Sequence, residues 1–308
     1  MTTLLVTHEA CFGHDPGRGH PESPARLKAV LSALEAPAFA GLERRIAPLA
    51  EIEQIARVHA RLYVERVLQA IPSSGYVGFD PDTIASSGSG EAALRAAGAV
   101  TAAVDAVVAG EARNAFCAVR PPGHHAEAGR AMGFCLFNNV AVGAEQARKV
   151  HNLARIAVVD FDVHHGNGTQ HMFQRDADLF YASTHQWPFY PGTGAADETG
   201  VGNIVNVPLA PMSGSPEFRA AMTEIVLPAL RRFRPDLLLV SAGFDAHADD
   251  PLASLRLGEA DFEWVTRALV AVADECCGGR VVSTLEGGYD LSALAASAAA
   301  HVRALMSA

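Results

Sequence analysis

Cysteine is scarce in this chain: five residues in 308, at positions 11, 117, 135, 276 and 277. The number is odd, no CxxC pair occurs and two are adjacent, which excludes a disulfide framework. Long apolar runs are missing too, and none approaches the roughly 20 residues of a membrane span. The opening MTTLLVTHEA lacks a basic lead, a long apolar segment and a cleavage site, so no signal peptide is expected. A reducing, cytoplasmic setting follows as the simplest expectation. Basic charge is in deficit: 24 Lys and Arg against 34 Asp and Glu give a net charge of −10. That argues against nucleic acid as a partner. With no linker rich in Pro or Ser, no internal repeat and no low-complexity tail, residues 1–308 are expected to form a single domain.

What is present is globular composition, 49% apolar and 19% charged. Short, bare apolar runs predict strands at Leu4–Thr7, Ala115–Val119, Ile156–Asp160, Leu179–Ser183, Ile204–Val207, Leu237–Ser241 and Val281–Leu285. Runs such as Leu237-Leu238-Leu239-Val240 show no polar alternation, the pattern of strands buried on both faces. Between them, Ala-, Leu-, Glu- and Arg-rich segments with apolar residues at three and four spacing predict helices over Ala25–Leu34, Gly90–Ala109, Asn138–His151, Pro216–Phe233, Glu259–Glu275 and Leu291–Met306. Strands alternating with helices predict an α/β fold, a mostly parallel sheet with helices on both faces.

Thirteen histidines are present, and two tandem pairs, His124-His125 and His164-His165, directly follow predicted strands. Asp162, Asp245 and Tyr289 also follow strands. Ligands of open α/β sheets lie outside the carboxyl ends of the strands, so this placement delivers His, Asp and Tyr to one rim. Asp162 and His164, two apart at the end of an extended run, are expected on the same side. With Asp245 they make a three-ligand oxygen and nitrogen set suited to Zn²⁺, leaving a position for water. His124 and His125 follow a stiff Pro-Pro-Gly turn and offer a general base, with Asp160 as a candidate partner. Tyr289, after Gly287-Gly288, is placed to donate a hydrogen bond to a developing oxyanion. Phe134, next to Gly133, and Tyr190 are loop aromatics able to wall a narrow tunnel.

Four ordered segments carry a resemblance. Arg120-Pro-Pro-Gly-His-His-Ala, Asp160-Phe-Asp-Val-His-His-Gly-Asn-Gly-Thr-Gln, Ser241-Ala-Gly-Phe-Asp and Leu285-Glu-Gly-Gly-Tyr resemble the zinc-dependent histone deacetylase family, with its bacterial deacetylase-like amidohydrolases and acetylpolyamine amidohydrolases. His20-Pro-Glu-Ser-Pro-Ala-Arg26 looks like the family's N-terminal motif. The resemblance implies the arginase/deacetylase fold, with about eight strands, and one catalytic zinc on Asp162, His164 and Asp245. It implies that His124, paired with Asp160, gives electrostatic help. His125 is then the general base and acid, and Tyr289 polarises the carbonyl. Asn167 stands where class I members carry Asp, a class II pattern, and an amide is expected to leave His125 with a lower pKa.

The resemblance also implies structural potassium at two places. One is formed by Asp160, Asp162, His164, Ser183 and Thr184. The other is formed mainly by carbonyls of Phe173, Asp176, Leu179 and Asn203. The substrate channel would be lined by Gly133, Phe134, Tyr190, Leu252, Gly287 and Gly288. Leu252, where polyamine-selective members place an acidic gatekeeper, leans toward acyl-lysine in a protein or peptide. Asp80, Asp82, Asp249 and Asp250 offer an acidic rim that would suit a small acylated amine or acetylpolyamine. The expected activity is hydrolysis of a linear N-acyl amide. The rivals are an arginase-like ureohydrolase, which wants two Mn²⁺ ions and further aspartates, and an inactive acyl-amine binder, which the intact residue set argues against.

Overall fold

A computed structural model describes residues 2–308. Among these residues ten strands are present: β1 (Thr3–Thr7), β2 (Glu43–Ile46), β3 (Tyr76–Gly78), β4 (Ile84–Ser86), β5 (Asn114–Cys117), β6 (Ile156–Asp160), β7 (Leu179–Gln186), β8 (Ile204–Leu209), β9 (Leu237–Ala242) and β10 (Val281–Leu285). Eight form one sheet in the order β2-β1-β5-β10-β9-β6-β7-β8, and every pairing is parallel. β3 and β4 form a separate antiparallel hairpin. The seven predicted strands are all present. The eighth, β2, reads Glu-Arg-Arg-Ile and lies exposed at the sheet edge. An edge strand needs no apolar run to be buried, so its sequence carries no such signal.

The central strands β9 and β10 are buried along their whole length, which is why they can be apolar on both faces. The covering helices follow the predicted segments. Helix Ser89–Val108 buries a face of alanines, and its Gly98 lies so close to Pro48 that a Cβ would strike the Pro48 carbonyl. Helix Asn139–His151 starts at Asn138, whose side chain accepts from Ala141 N, and stops at Asn152 with φ 55°. The predicted helix 216–233 is continuous, with a π-helical stretch at Ala221–Val226 just before Pro228. Proline removes a helical donor, and the wider stretch accommodates it. Helices Arg61–Ala70 and Asn167–Phe173 are additions to the predicted set. No helix among the described residues is long and apolar enough to cross a membrane.

Because all eight strands run the same way, their carboxyl ends share one rim. The loops after β5, β6, β9 and β10 carry His124-His125, Asp162-His164, Asp245 and Tyr289 there.

Candidate active site

Asp162, His164 and Asp245 offer ligand atoms that all lie within 4.8 Å of one another, and all three residues are buried. His164 Nδ1 lies 3.1 Å from Asp162 Oδ1 and 3.1 Å from Asp245 Oδ2. The geometry arises from a turn and not from an extended run, which corrects the sequence expectation. β6 ends at Asp160, and Asp162 Oδ1 accepts from His164 N at 2.9 Å. Backbone donors aim the carboxylates: Gly287 N to Asp162 Oδ2 at 2.8 Å and Val163 N to Asp245 Oδ1 at 2.8 Å. Gly287 is required here, since a Cβ would fall 2.1 Å from Asp245 Oδ2. Two carboxylates and an imidazole, desolvated and pointed at a common centre, fit a divalent ion such as Zn²⁺. Among the described residues this is one cluster, with no second metal carboxylate set beside it as a two-manganese centre would need.

Bringing these groups together out of water changes how readily each binds a proton. Burial and the neighbouring Asp162 push Asp245 up to about 7. Burial disfavours a charged His164, but the two carboxylates outweigh it and raise the ring to about 10. A metal entering the site therefore displaces protons.

The tandem histidines differ in their partners. His124 Nδ1 meets Asp160 Oδ2 at 3.0 Å. Burial opposes charge on His124, yet Asp160 and Asp162 raise it to about 10. His125 Nδ1 meets Asn167 Oδ1 at 2.8 Å. Asn167 Nδ2 donates to Glu127 Oε1 at 2.9 Å, which fixes the amide and leaves its oxygen to accept. His125 Nδ1 therefore carries the proton, and Nε2 is left with a lone pair. Burial, joined by the charges of His124 and His164, holds His125 well below the usual histidine range. Gly133, at φ +56°, passes under this ring; a Cβ there would sit 2.4 Å from His125 Cδ2.

A cavity of about 230 Å³ opens onto these groups. His124, His125, His164 and Tyr289 reach it from the rim, while Phe134 and Tyr190 are its aromatic walls. Tyr190 stands edge-on to His125 at 5.1 Å, and Phe134 edge-on to Tyr289 at 5.9 Å. Gly133, Leu252 and Gly287 also line it, as expected. Gly288 does not; its carbonyl accepts from Arg26 Nε instead. Of the four rim acids, Asp82 alone lines the cavity. Asp80 caps the backbone of Asp82 and Thr83, Asp250 Oδ2 accepts from Tyr289 N at 2.7 Å, and Asp249 is exposed beside His247.

Several supporting residues were given no role of their own by the sequence, though some lie within its motifs. Glu22 is buried against Arg26 and Arg120. Burial disfavours its charge, but Arg120, His14 and Arg26 hold it well below the usual carboxylate range. Arg26 in turn donates to the carbonyls of Glu286 and Gly288 and stacks over Tyr289, 4.8 Å from the ring centroid. Burial keeps the Tyr289 hydroxyl protonated far into alkali, against the opposing pull of Arg26. Glu286 Oε2 accepts from Gly123 N at 2.7 Å and His124 N at 3.2 Å, tying the histidine loop to β10. Tyr181 donates to Asp160 Oδ2 at 3.0 Å. The His20–Arg26 motif was the available signal for Glu22 and Arg26. Tyr181 and Glu127 had none.

The comparisons agree with this geometry. Residues 20–305 match the histone deacetylase domain. This chain belongs to the histone deacetylase family. It is 42% identical over 325 residues to histone deacetylase 14, chloroplastic, of Arabidopsis thaliana, covering 98% of this chain and 76% of that one. It is 44% identical over 277 residues to the histone deacetylase-like amidohydrolase of Pseudomonas aeruginosa, covering 88% and 73%. The solved HDA15 HD domain superposes with a TM-score of 0.93 at 36% identity, covering 99% of this chain and 88% of that one. The fold is thus the arginase/deacetylase fold, and this family member is a hydrolase acting on amides.

The two implied monovalent-cation places differ in fit. At the first, Asp160 and Ser183 are buried neighbours in the β6–β7 register, and a carboxylate beside a hydroxyl is an oxygen donor set that suits a cation. At the second, the carbonyls of Phe173, Asp176 and Leu179 converge as expected, but on the side-chain amide of Asn203. That set does not fit a cation, because the amide nitrogen stands where the ion would.

Proposed function

We propose that this chain removes an acetyl or other acyl group from an acyl-lysine side chain, with one zinc ion held by Asp162, His164 and Asp245, and that residues 1–308 act as a single catalytic domain. The observation that carries this reading is the meeting, at one narrow cavity, of the buried three-ligand set, the free Nε2 of His125 and the phenol of Tyr289. Zinc, when bound, supplies Lewis acidity toward the acyl carbonyl and makes a water more acidic. His125 accepts the proton of the attacking water at Nε2. Its low proton affinity keeps it free at neutral pH. His124, charged beside Asp160, adds positive potential next to the same centre. Tyr289 donates its hydroxyl hydrogen to the carbonyl oxygen as negative charge builds there. A protonated histidine then returns a proton to the leaving amine.

Phe134 and Tyr190 leave room for an unbranched aliphatic chain, and Leu252 gives the mouth an apolar side. These features support an acyl-lysine protein or peptide as substrate, while Asp82 at the mouth favours a small cationic acylated amine as the second reading. Asp160, Asp162, His164, Ser183 and Thr184 hold a monovalent cation in this proposal, potassium by family likeness; the buried Asp160 carboxylate beside Ser183 supports a ligand there. The five free thiols suit a reducing compartment such as the cytoplasm. The test is a paired kcat/KM comparison on zinc-loaded protein, acetyl-lysine peptide against N-acetylputrescine. Preference for the peptide supports the lysine reading. Preference for the acetylpolyamine means that Asp82 outweighs Leu252, and turnover of neither overturns the proposal.

A further inference from the structure

The corner where helix Asn167–Phe173 turns into β7 holds three main-chain carbonyls that point at one spot: Phe173, Asp176 and Leu179. Phe173 O already accepts from Asp176 N at 3.0 Å and Asp176 O from Leu179 N at 3.1 Å, so what each offers to that spot is its second lone pair, which a donor or a cation can take. Asn203 Nδ2 occupies that spot, 2.9 Å from Phe173 O, 2.9 Å from Asp176 O and 2.5 Å from Leu179 O. The assignment of the amide is not arbitrary. Asn203 Oδ1 accepts from Val201 N at 3.1 Å, so the nitrogen must face the carbonyls. The side chain is buried, and Gly200 at φ +60° lets the chain pass so close that a Cβ there would fall 2.7 Å from Asn203 Oδ1. The main-chain carbonyl of Asn203, the fourth expected cation ligand, accepts from Tyr181 N at 3.1 Å in the β7–β8 ladder.

We propose that the side-chain amide of Asn203 is a built-in substitute for a monovalent cation at this carbonyl cluster, so that the chain takes no ion there. The amide brings two hydrogens and a partial positive charge to three acceptors, and it is covalently attached, so its occupancy does not depend on salt. The consequence reaches the active site. Helix Asn167–Phe173 carries the His125 partner at its first residue and Phe173 at its last, and the Asn203 latch holds the Phe173 end at any potassium concentration. This inference is independent of the catalytic proposal, because it concerns ion binding and not turnover.

The experiment is crystallography of the full zinc-loaded chain soaked in rubidium chloride, with anomalous data, beside the same measurement on Asn203→Asp. The substitution keeps the shape and the acceptor for Val201 N but replaces the donor by an anionic acceptor. The expected result is no rubidium peak among the carbonyls of Phe173, Asp176 and Leu179 in the wild-type chain and a peak there in Asn203→Asp. A wild-type peak within that cluster, with the Asn203 amide swung aside, overturns the proposal. So does an Asn203→Asp chain that folds and holds no ion. If Asn203→Asp fails to fold, Asn203→Ser opens the same space with a smaller change. Its Tm should rise by roughly 4 °C in potassium chloride at a hundredfold excess over Kd, relative to N-methylglucamine chloride at equal ionic strength. The wild-type chain should show no such difference arising from this corner when the two chains are compared, and equal potassium responses in both would refute the substitution role.

Discussion

Replacing Asn167 by Asp isolates the electrostatics of the general base. The wild-type amide orients His125 without a formal charge, at 2.8 Å. A carboxylate in its place, with charge centres about 4 Å apart and an effective dielectric near 20, would stabilise imidazolium by up to about 4 kcal/mol, or roughly three pKa units. Measured carboxylate neighbours shift such groups by about 1–3 units. The sign is fixed: a negative neighbour favours the protonated ring, so His125 must rise from its depressed position. The base acts only when unprotonated. The acidic limb of kcat/KM therefore moves to higher pH by about 1–3 units in Asn167→Asp. The wild-type limb should lie well below the usual histidine range. One contact would spoil a bare substitution: Asn167 Nδ2 donates to Glu127 Oε1 at 2.9 Å, and two carboxylates would meet there. The double variant N167D/E127Q restores a donor and is the cleaner probe. The assay is kcat/KM on an acetyl-lysine peptide from about pH 5 to 9, with zinc content verified. A folded, zinc-loaded double variant whose acidic limb does not move would refute the pairing of Asn167 with the catalytic base.

Three other outcomes follow from the same contacts. Tyr289→Phe should lower kcat by on the order of 10²-fold, with zinc content unchanged and KM little affected; unchanged turnover would remove the oxyanion role. Glu286→Ala strands Gly123 N, His124 N and the Ser241 hydroxyl, each buried, at about 1–3 kcal/mol apiece, so Tm and kcat should both fall, whereas Glu286→Gln, which keeps an acceptor, should restore most of kcat. An Ala variant with wild-type kcat would show that the histidine loop is held elsewhere. Burial depresses His59 to about 4, His165 to about 3, His185 to about 4 and His301 to about 3. Each binds its proton more readily when unfolded, so their contribution is intact above about pH 6.5 and is lost as pH falls toward 4, at up to about 1.4 kcal/mol per unit per group. Urea midpoints should drop steeply through that window, and a flat profile between about pH 6.5 and 4.5 would contradict the buried neutral state of these rings.

The sheet and the metal ligands were legible because their physics is local. Leu237–Ala242 is apolar on both faces because both faces are covered, and that shows in one strand alone. Asp162, His164, Asp245 and Tyr289 each follow such a strand, so the parallel topology was enough to bring them to one rim. The edge strand Glu43–Ile46 escaped because nothing in it is buried deeply enough to demand an apolar pattern. Glu22 and Arg26 sit four apart in one motif, but Arg120 is 98 residues from Glu22, so the motif alone does not announce the cluster they form. Asn203 shows the limit most clearly. The carbonyl positions carry no side-chain code, and the residue that decides between ion and amide was read as one more backbone ligand. Its side chain, aimed inward by Val201 N and Gly200, reverses that reading.

The most direct test of the central claim is metal-resolved turnover. The chain is stripped with a chelator, reloaded with measured equivalents of zinc, and assayed for hydrolysis of an acetyl-lysine peptide, with Asp245→Ala carried in parallel. The account predicts that activity is lost on stripping and returns in proportion to zinc up to one equivalent, and that Asp245→Ala neither retains the ion nor recovers turnover. Activity that survives stripping, or that returns only with two manganese ions per chain, would contradict it.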